Sequence, residues 1–146
     1  MIADMAAVRI EAPAETVFAF LADPGRLDLW SFGTWSTTRH PDGLIEGRAL
    51  QDGARIWLRI AADADALLID YHLGATPQAL APRIFARIVP GRVTGHGADC
   101  ATLILTALRS AEMDDERWGR LIRAHAFELD LVKSLIETGH DHRAVR

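Results

Sequence analysis

The sequence predicts an α+β fold: a curved antiparallel sheet of about seven strands around a long C-terminal helix, with two short helices after the first strand. Three observations predict it. Trp118, Leu121, Ile122, His125, Leu129, Val132 and Ile136 recur at helical spacing between Asp114 and Thr138, and such a stripe needs a surface to bury it. Upstream, short apolar or threonine-rich runs alternate with turns rich in proline and glycine, as in a strand meander. Two adjacent runs can also be placed in a register that separates an apolar face from a polar one. A strongly curved sheet cannot lie flat on a helix, so a cavity between the two is expected.

The elements follow in order. Ala6, Val8 and Ile10 alternate with Ala7, Arg9 and Glu11, the two-residue period of a half-buried strand. Ala12-Pro13-Ala14-Glu15 starts a helix, with proline at the first helical position and Glu15 in the first turn. Val17, Phe18, Phe20 and Leu21 give it a buried side, and Asp23-Pro24-Gly25 stops it. Arg26 to Trp30 adds one more helical turn. Strands are predicted over Thr34–His40, Leu44–Leu50, Ala54–Ala62, Leu67–Leu73, Arg83–Val89 and Ala101–Leu108. Pro41-Asp42-Gly43, Asp52-Gly53 and the glycine-bearing stretch Gly91–Asp99 serve as turns and loops between them. The closing helix has a candidate N-cap in Asp114, acidic residues at its positive end and Gly139 at its stop. At about 1.5 Å per residue it is roughly 37 Å long.

A four-residue connection between the fourth and fifth strands places Ile60 opposite Ile69, Leu58 opposite Tyr71 and Ile56 opposite Leu73. Arg59 with Asp70 and Trp57 with His72 then share the other face. By the same parity Ile84, Ala86, Ile88, Leu103, Leu105 and Ala107 point inward, and Thr102 and Thr106 point to solvent.

The 146 residues, 49% hydrophobic and 25% charged, suffice for one globular domain, read as residues 1–146 with 139–146 a frayed tail. A net charge of -4 and a pI near 5.8 argue against nucleic acid as a partner. Charged residues interrupt the N-terminal stretch, and no apolar run approaches the ~20 residues that span a bilayer. With the single cysteine Cys100, these features lead us to expect a cytoplasmic protein without membrane insertion.

The stretch Val8-Arg9-Ile10-Glu11-Ala12-Pro13-Ala14-Glu15-Thr16-Val17-Phe18-Ala19-Phe20-Leu21-Ala22-Asp23-Pro24, followed by Leu27 and Trp30, resembles the START-like superfamily. That superfamily includes the birch-pollen-allergen proteins and the bacterial polyketide cyclase/dehydrase and lipid-transport (SRPBCC) group. The order of elements is similar along the whole chain, and the long closing helix matches. The resemblance implies a helix-grip fold with a hydrophobic cavity between the sheet and that helix. Members bind lipids, hormones, polyketides or other apolar molecules, and a minority catalyse reactions on them. Fold analogy does not transfer a reaction.

Tyr71 and His125 are expected to face the interior. A histidine can act as acid or base near neutral pH, and a phenol can polarise a carbonyl. Equally, both can be core residues with satisfied polar atoms. Trp30, Phe32, Trp35, Trp57 and Trp118 either line a cavity mouth or pack in the core and at its edges. Trp57 with Ile104, on the outward face, could form a dimer contact. Arg55, Arg59, Arg83 and Arg87 are assigned to a solvated face, unless a bulge turns one inward to clamp a carboxylate. His96 with Cys100, and His140-Asp141-His142, fall short of a metal site. No phosphate-binding fingerprint, nucleophile motif or cofactor is indicated.

The expected function is binding of a hydrophobic or amphipathic small molecule between sheet and helix, by a monomer or homodimer. Expected wall residues are Trp30, Trp35, Ile56, Leu58, Tyr71, Ile84, Leu103, Leu105, Trp118, Leu121, His125 and Leu129. One alternative is a cyclase or dehydratase using Tyr71 and His125. The other is a protein-interaction module of the Hsp90-activator type within the same superfamily.

Overall fold

Apolar alternation carries β1 (Ala3–Ile10) antiparallel onto β7 (Ala101–Leu108), from Ala3 opposite Leu108 to Ile10 opposite Ala101. The computed structural model describes residues 2–144. After β1 come α1 (Ala14–Ala22), a 3₁₀ turn at Pro24–Arg26 and α2 (Leu27–Trp30). A second 3₁₀ turn at Phe32–Thr34 leads into β2 (Ser36–Arg39), β3 (Ile45–Arg48), β4 (Arg55–Asp63), β5 (Leu68–Gly74) and β6 (Ala81–Pro90). The seven strands form one curved sheet in the order β1-β7-β6-β5-β4-β3-β2, and α3 (Asp115–Thr138) follows.

Both caps of α3 match the sequence. The Asp114 carboxylate accepts a hydrogen bond from the Arg117 amide at 2.8 Å, and Gly139 closes the helix in the left-handed conformation. Trp118, His125, Leu129, Val132 and Leu135 are its buried residues. Leu129, Val132 and Leu135 join Ile10, Val17, Leu21, Ile69, Ile88, Leu103 and Leu105 in the main core. Ala107, Met113 and Trp118 form a smaller cluster. Pro13 stands one position earlier than expected, as the residue before α1, where its carbonyl accepts from Thr16 and Val17.

Three expectations need correction. First, β4 pairs with β5 two residues away from the predicted register: Leu58 faces Leu73, Ile60 faces Tyr71, Arg59 faces His72 and Trp57 faces Gly74. The turn is made by Ala64–Leu67 rather than Asp63–Ala66. Asp63 accepts from the amides of Asp65 and Ala66, and Leu67 takes a positive φ of 54°. A two-residue slip keeps parity, so the apolar side chains of the two strands stay on their predicted face.

Second, Thr106 is buried although it lies on the outward side, because Met5 and Phe85 stand opposite it on both neighbouring strands. Third, the β5–β6 register shifts between Tyr71 and His72: Tyr71 faces Ile84 and His72 faces Pro82, so Arg83 is the extra residue. Proline lacks the N–H that would continue the ladder, and the bulge falls beside it.

Near the C-terminus, Arg143 and His142 contact the segment from Gly25 to Trp35. The Arg143 guanidinium donates to the Gly25 carbonyl at 2.9 Å and to Asp28 at 2.6 Å, and the His142 ring stacks on Trp35 at 5.1 Å. The predicted tail also includes residues 145 and 146, which lie outside the described residues.

Glycine is required at Gly91. A Cβ there would meet Cys100 Sγ at 2.5 Å and the Cys100 carbonyl at 2.7 Å, because the loop folds back for the Gly91 amide to reach that carbonyl. This fold also accounts for His96 and Cys100. The cysteine thiol donates to the His96 carbonyl, and His96 Nδ1 lies 2.8 Å from Thr94 Oγ1.

Candidate functional site: a cleft under the closing helix

A cleft of about 300 Å³ opens between the first half of α3 and strands β4 to β6. Its apolar wall is Ile56 and Leu58 of β4, Leu73 of β5 and Ile84 of β6, with Leu121 and Ala124 of α3 opposite. These residues face one another because inward parity on the strands meets the flank of the helical stripe. The Phe32–Thr34 turn, the β3–β4 hairpin and Met113 complete it. Arg55, Arg83, Arg117 and Arg120 also line it. Arg83 does so next to Ile84, at the bulge that leaves it as the extra residue of β6. Half-burial and the nearby Arg117 guanidinium push the Arg83 pKa down, opposed by Glu112.

A second pocket of about 40 Å³ adjoins the cleft and shares Ser31, Leu58, Leu73, Ile84 and Glu128 with it. Leu27, Trp30, Tyr71, Leu105 and His125 complete its lining. Tyr71 is fully committed: its hydroxyl donates to the Leu21 carbonyl at 2.8 Å, and burial pushes its pKa well up. That carbonyl belongs to the last turn of α1, where intrahelical donors run out. Tyr71→Phe is therefore expected to lower stability by about 1–2 kcal/mol in chemical denaturation, by leaving a buried acceptor unpaired. Unchanged stability would show that the bond contributes nothing.

His125 is buried with Nδ1 3.3 Å from the Asp4 carboxylate. Burial holds its pKa below the ordinary histidine value, and Asp4 offsets part of that. His125 Nε2 and Trp30 Nε1 are buried and bond no atom among the described residues. Glu128 lies one turn further along α3. Its carboxylate accepts from the Phe32 amide at 3.0 Å, and desolvation raises its pKa to about 7 against the hydrogen bonds from Phe32 and Ser31.

Of the residues expected to line the site, Ile56, Leu58, Ile84 and Leu121 line the cleft, and Trp30, Tyr71, Leu105 and His125 the smaller pocket. Trp35, Leu103, Trp118 and Leu129 line neither. Trp35 packs between Phe32 and His142, Trp118 sits in the smaller cluster, and Leu103 and Leu129 are in the main core. Trp57 is half-buried beside His40 on the outward face. Sequence reasoning missed Glu128, Arg117 and Arg120. Glu128 follows Leu121 by seven residues and His125 by three, so an acid on the edge of an apolar stripe was the available signal.

No protein-family model matches the chain, and no curated protein matches it. Solved structures do. The chain is similar to the ZhuI aromatase/cyclase from Streptomyces sp. R1128, with 20% identity over 99% of this chain and 95% of that one, at a TM-score of 0.65. It is similar to Aha1 from Colwellia psychrerythraea, solved as a dimer, with 16% identity over 97% of this chain and 100% of that one, TM-score 0.68. XoxI from Bacillus cereus aligns at a TM-score of 0.72 with 13% identity, over 97% of this chain and 100% of that one. At such identities the likeness is one of fold. That fold is a helix-grip arrangement of a seven-stranded antiparallel sheet and one closing helix.

Proposed function

We propose that the protein binds an apolar or amphipathic small molecule in the cleft between the sheet and α3. The observation that supports this reading is the cleft itself: about 300 Å³, walled by Ile56, Leu58, Leu73, Ile84 and Leu121, with arginines beside them. That volume is at the lower end of the range for small-molecule pockets, roughly 300–1,000 Å³, and an apolar wall with few polar groups is their usual makeup. The test is native mass spectrometry of the protein purified from its own host, with identification of any compound released. A stoichiometric apolar compound that Ala124→Trp excludes is the expected result. Empty protein, together with no thermal shift from a panel of lipids and aromatic polyketides, overturns the reading in favour of a surface interaction module.

A second reading is acid–base chemistry of the cyclase or dehydratase type on the bound molecule. Glu128 supports it, as a carboxyl shared by both pockets whose pKa of about 7 lets it give or take a proton at neutral pH. His125 is the second titratable group of this set. With its hydroxyl held by Leu21, Tyr71 has a structural task instead. Glu128→Gln and His125→Ala, assayed on the recovered compound, are expected to lose turnover and keep binding. Full turnover in both variants removes this second reading.

A further inference from the structure

We propose, resting on the binding reading above, that the occupant of the cleft is an amphipathic carboxylate. Its charged end is held by Arg83 and Arg117, and its apolar body lies on Ile56, Leu58, Ile84 and Leu121.

Four of the cleft-lining residues are arginines against two acids, Asp52 and Glu128, so the lining is positive in a protein whose net charge is -4. Such an inversion in a walled cleft concentrates anions. The four arginines are not equivalent. Arg55 pairs with Glu46 at 3.1 Å and Arg120 with Glu116 at 3.3 Å. Arg83 and Arg117 make no ion pair within 4.0 Å among the described residues.

Arg83 is also brought inward by a break in the ladder, half-buried, near a second guanidinium. Each of these costs free energy that a bound anion would offset, since an arginine fork matches a carboxylate with two parallel hydrogen bonds. The charge of Glu112 acts on both Arg83 and Arg117.

The experiment measures binding of decanoate and 2-naphthoate against their neutral counterparts, decanol and 2-naphthalenemethanol, by calorimetry. Wild type is compared with Arg83→Gln and Arg117→Gln, with Arg87→Gln on the outward face as control and thermal melts to establish folding. The carboxylates are expected to bind about tenfold or more tighter than the alcohols. Each cleft substitution is expected to remove about tenfold from the carboxylates alone, the size of one charged hydrogen bond. Equal affinity for acid and alcohol, or carboxylate affinity unchanged in both variants, overturns the charge assignment and leaves the binding reading standing. If no probe of either class binds, both fall.

Discussion

Glu128→Gln is expected to stabilise the protein at pH 8 and to remove a decline in stability that wild type shows as pH rises from 4.5 to about 7. The sign follows from proton linkage. The folded state holds the Glu128 proton up to about pH 7, whereas the unfolded chain releases it near 4.5. Between those values the folded state binds more protons, so its advantage is complete below 4.5 and is lost as pH rises through about 7. At about 1.4 kcal/mol per pH unit this interval corresponds to roughly 3 kcal/mol, and partial exposure of the side chain reduces it to about 2 kcal/mol. For a chain of this size that is a rise of roughly 4–8 °C in melting temperature.

His125 acts in the opposite direction. Its folded pKa lies below 6.5, so its contribution is present above 6.5 and is lost as pH falls. The measurement is therefore the difference between wild-type and Glu128→Gln melts from pH 4.5 to 8, in which the histidine cancels. Parallel curves would mean that Glu128 titrates like an exposed carboxylate, and the acid–base reading would lose its main support.

Leu129→Ala is expected to have the largest effect on stability, a loss of about 3 kcal/mol within the 2–5 kcal/mol seen for buried leucines. Leu129 is 2% exposed and packs in the core cluster with Val132 and Leu135 where α3 closes over the sheet. Truncation removes apolar burial and leaves a void that a close-packed interior fills only partly. Melting should fall by roughly 6–12 °C at this chain length. Leu129 lines neither pocket, so a folded Leu129→Ala protein should bind decanoate as wild type does, which separates support of the fold from contact with ligand. A loss of binding without a loss of stability would return Leu129 to the wall of the site.

The amino-acid sequence alone determined the closing helix with both of its caps, the extents of the strands to within a few residues, and which apolar strand residues face inward. These are local properties. A capping aspartate, a terminal glycine and an apolar period act within a few residues of one another, and parity survives a slip of two. Tertiary structure decided the rest of the site. The β4–β5 register depended on a left-handed Leu67, and the direction of Arg83 on a bulge beside Pro82. The character of Glu128 depended on the Phe32 amide, 96 residues away in the chain. His125 depended on Asp4, 121 residues away. A side chain's charge state is set by what surrounds it, and for these residues the surroundings exist only after the chain has folded.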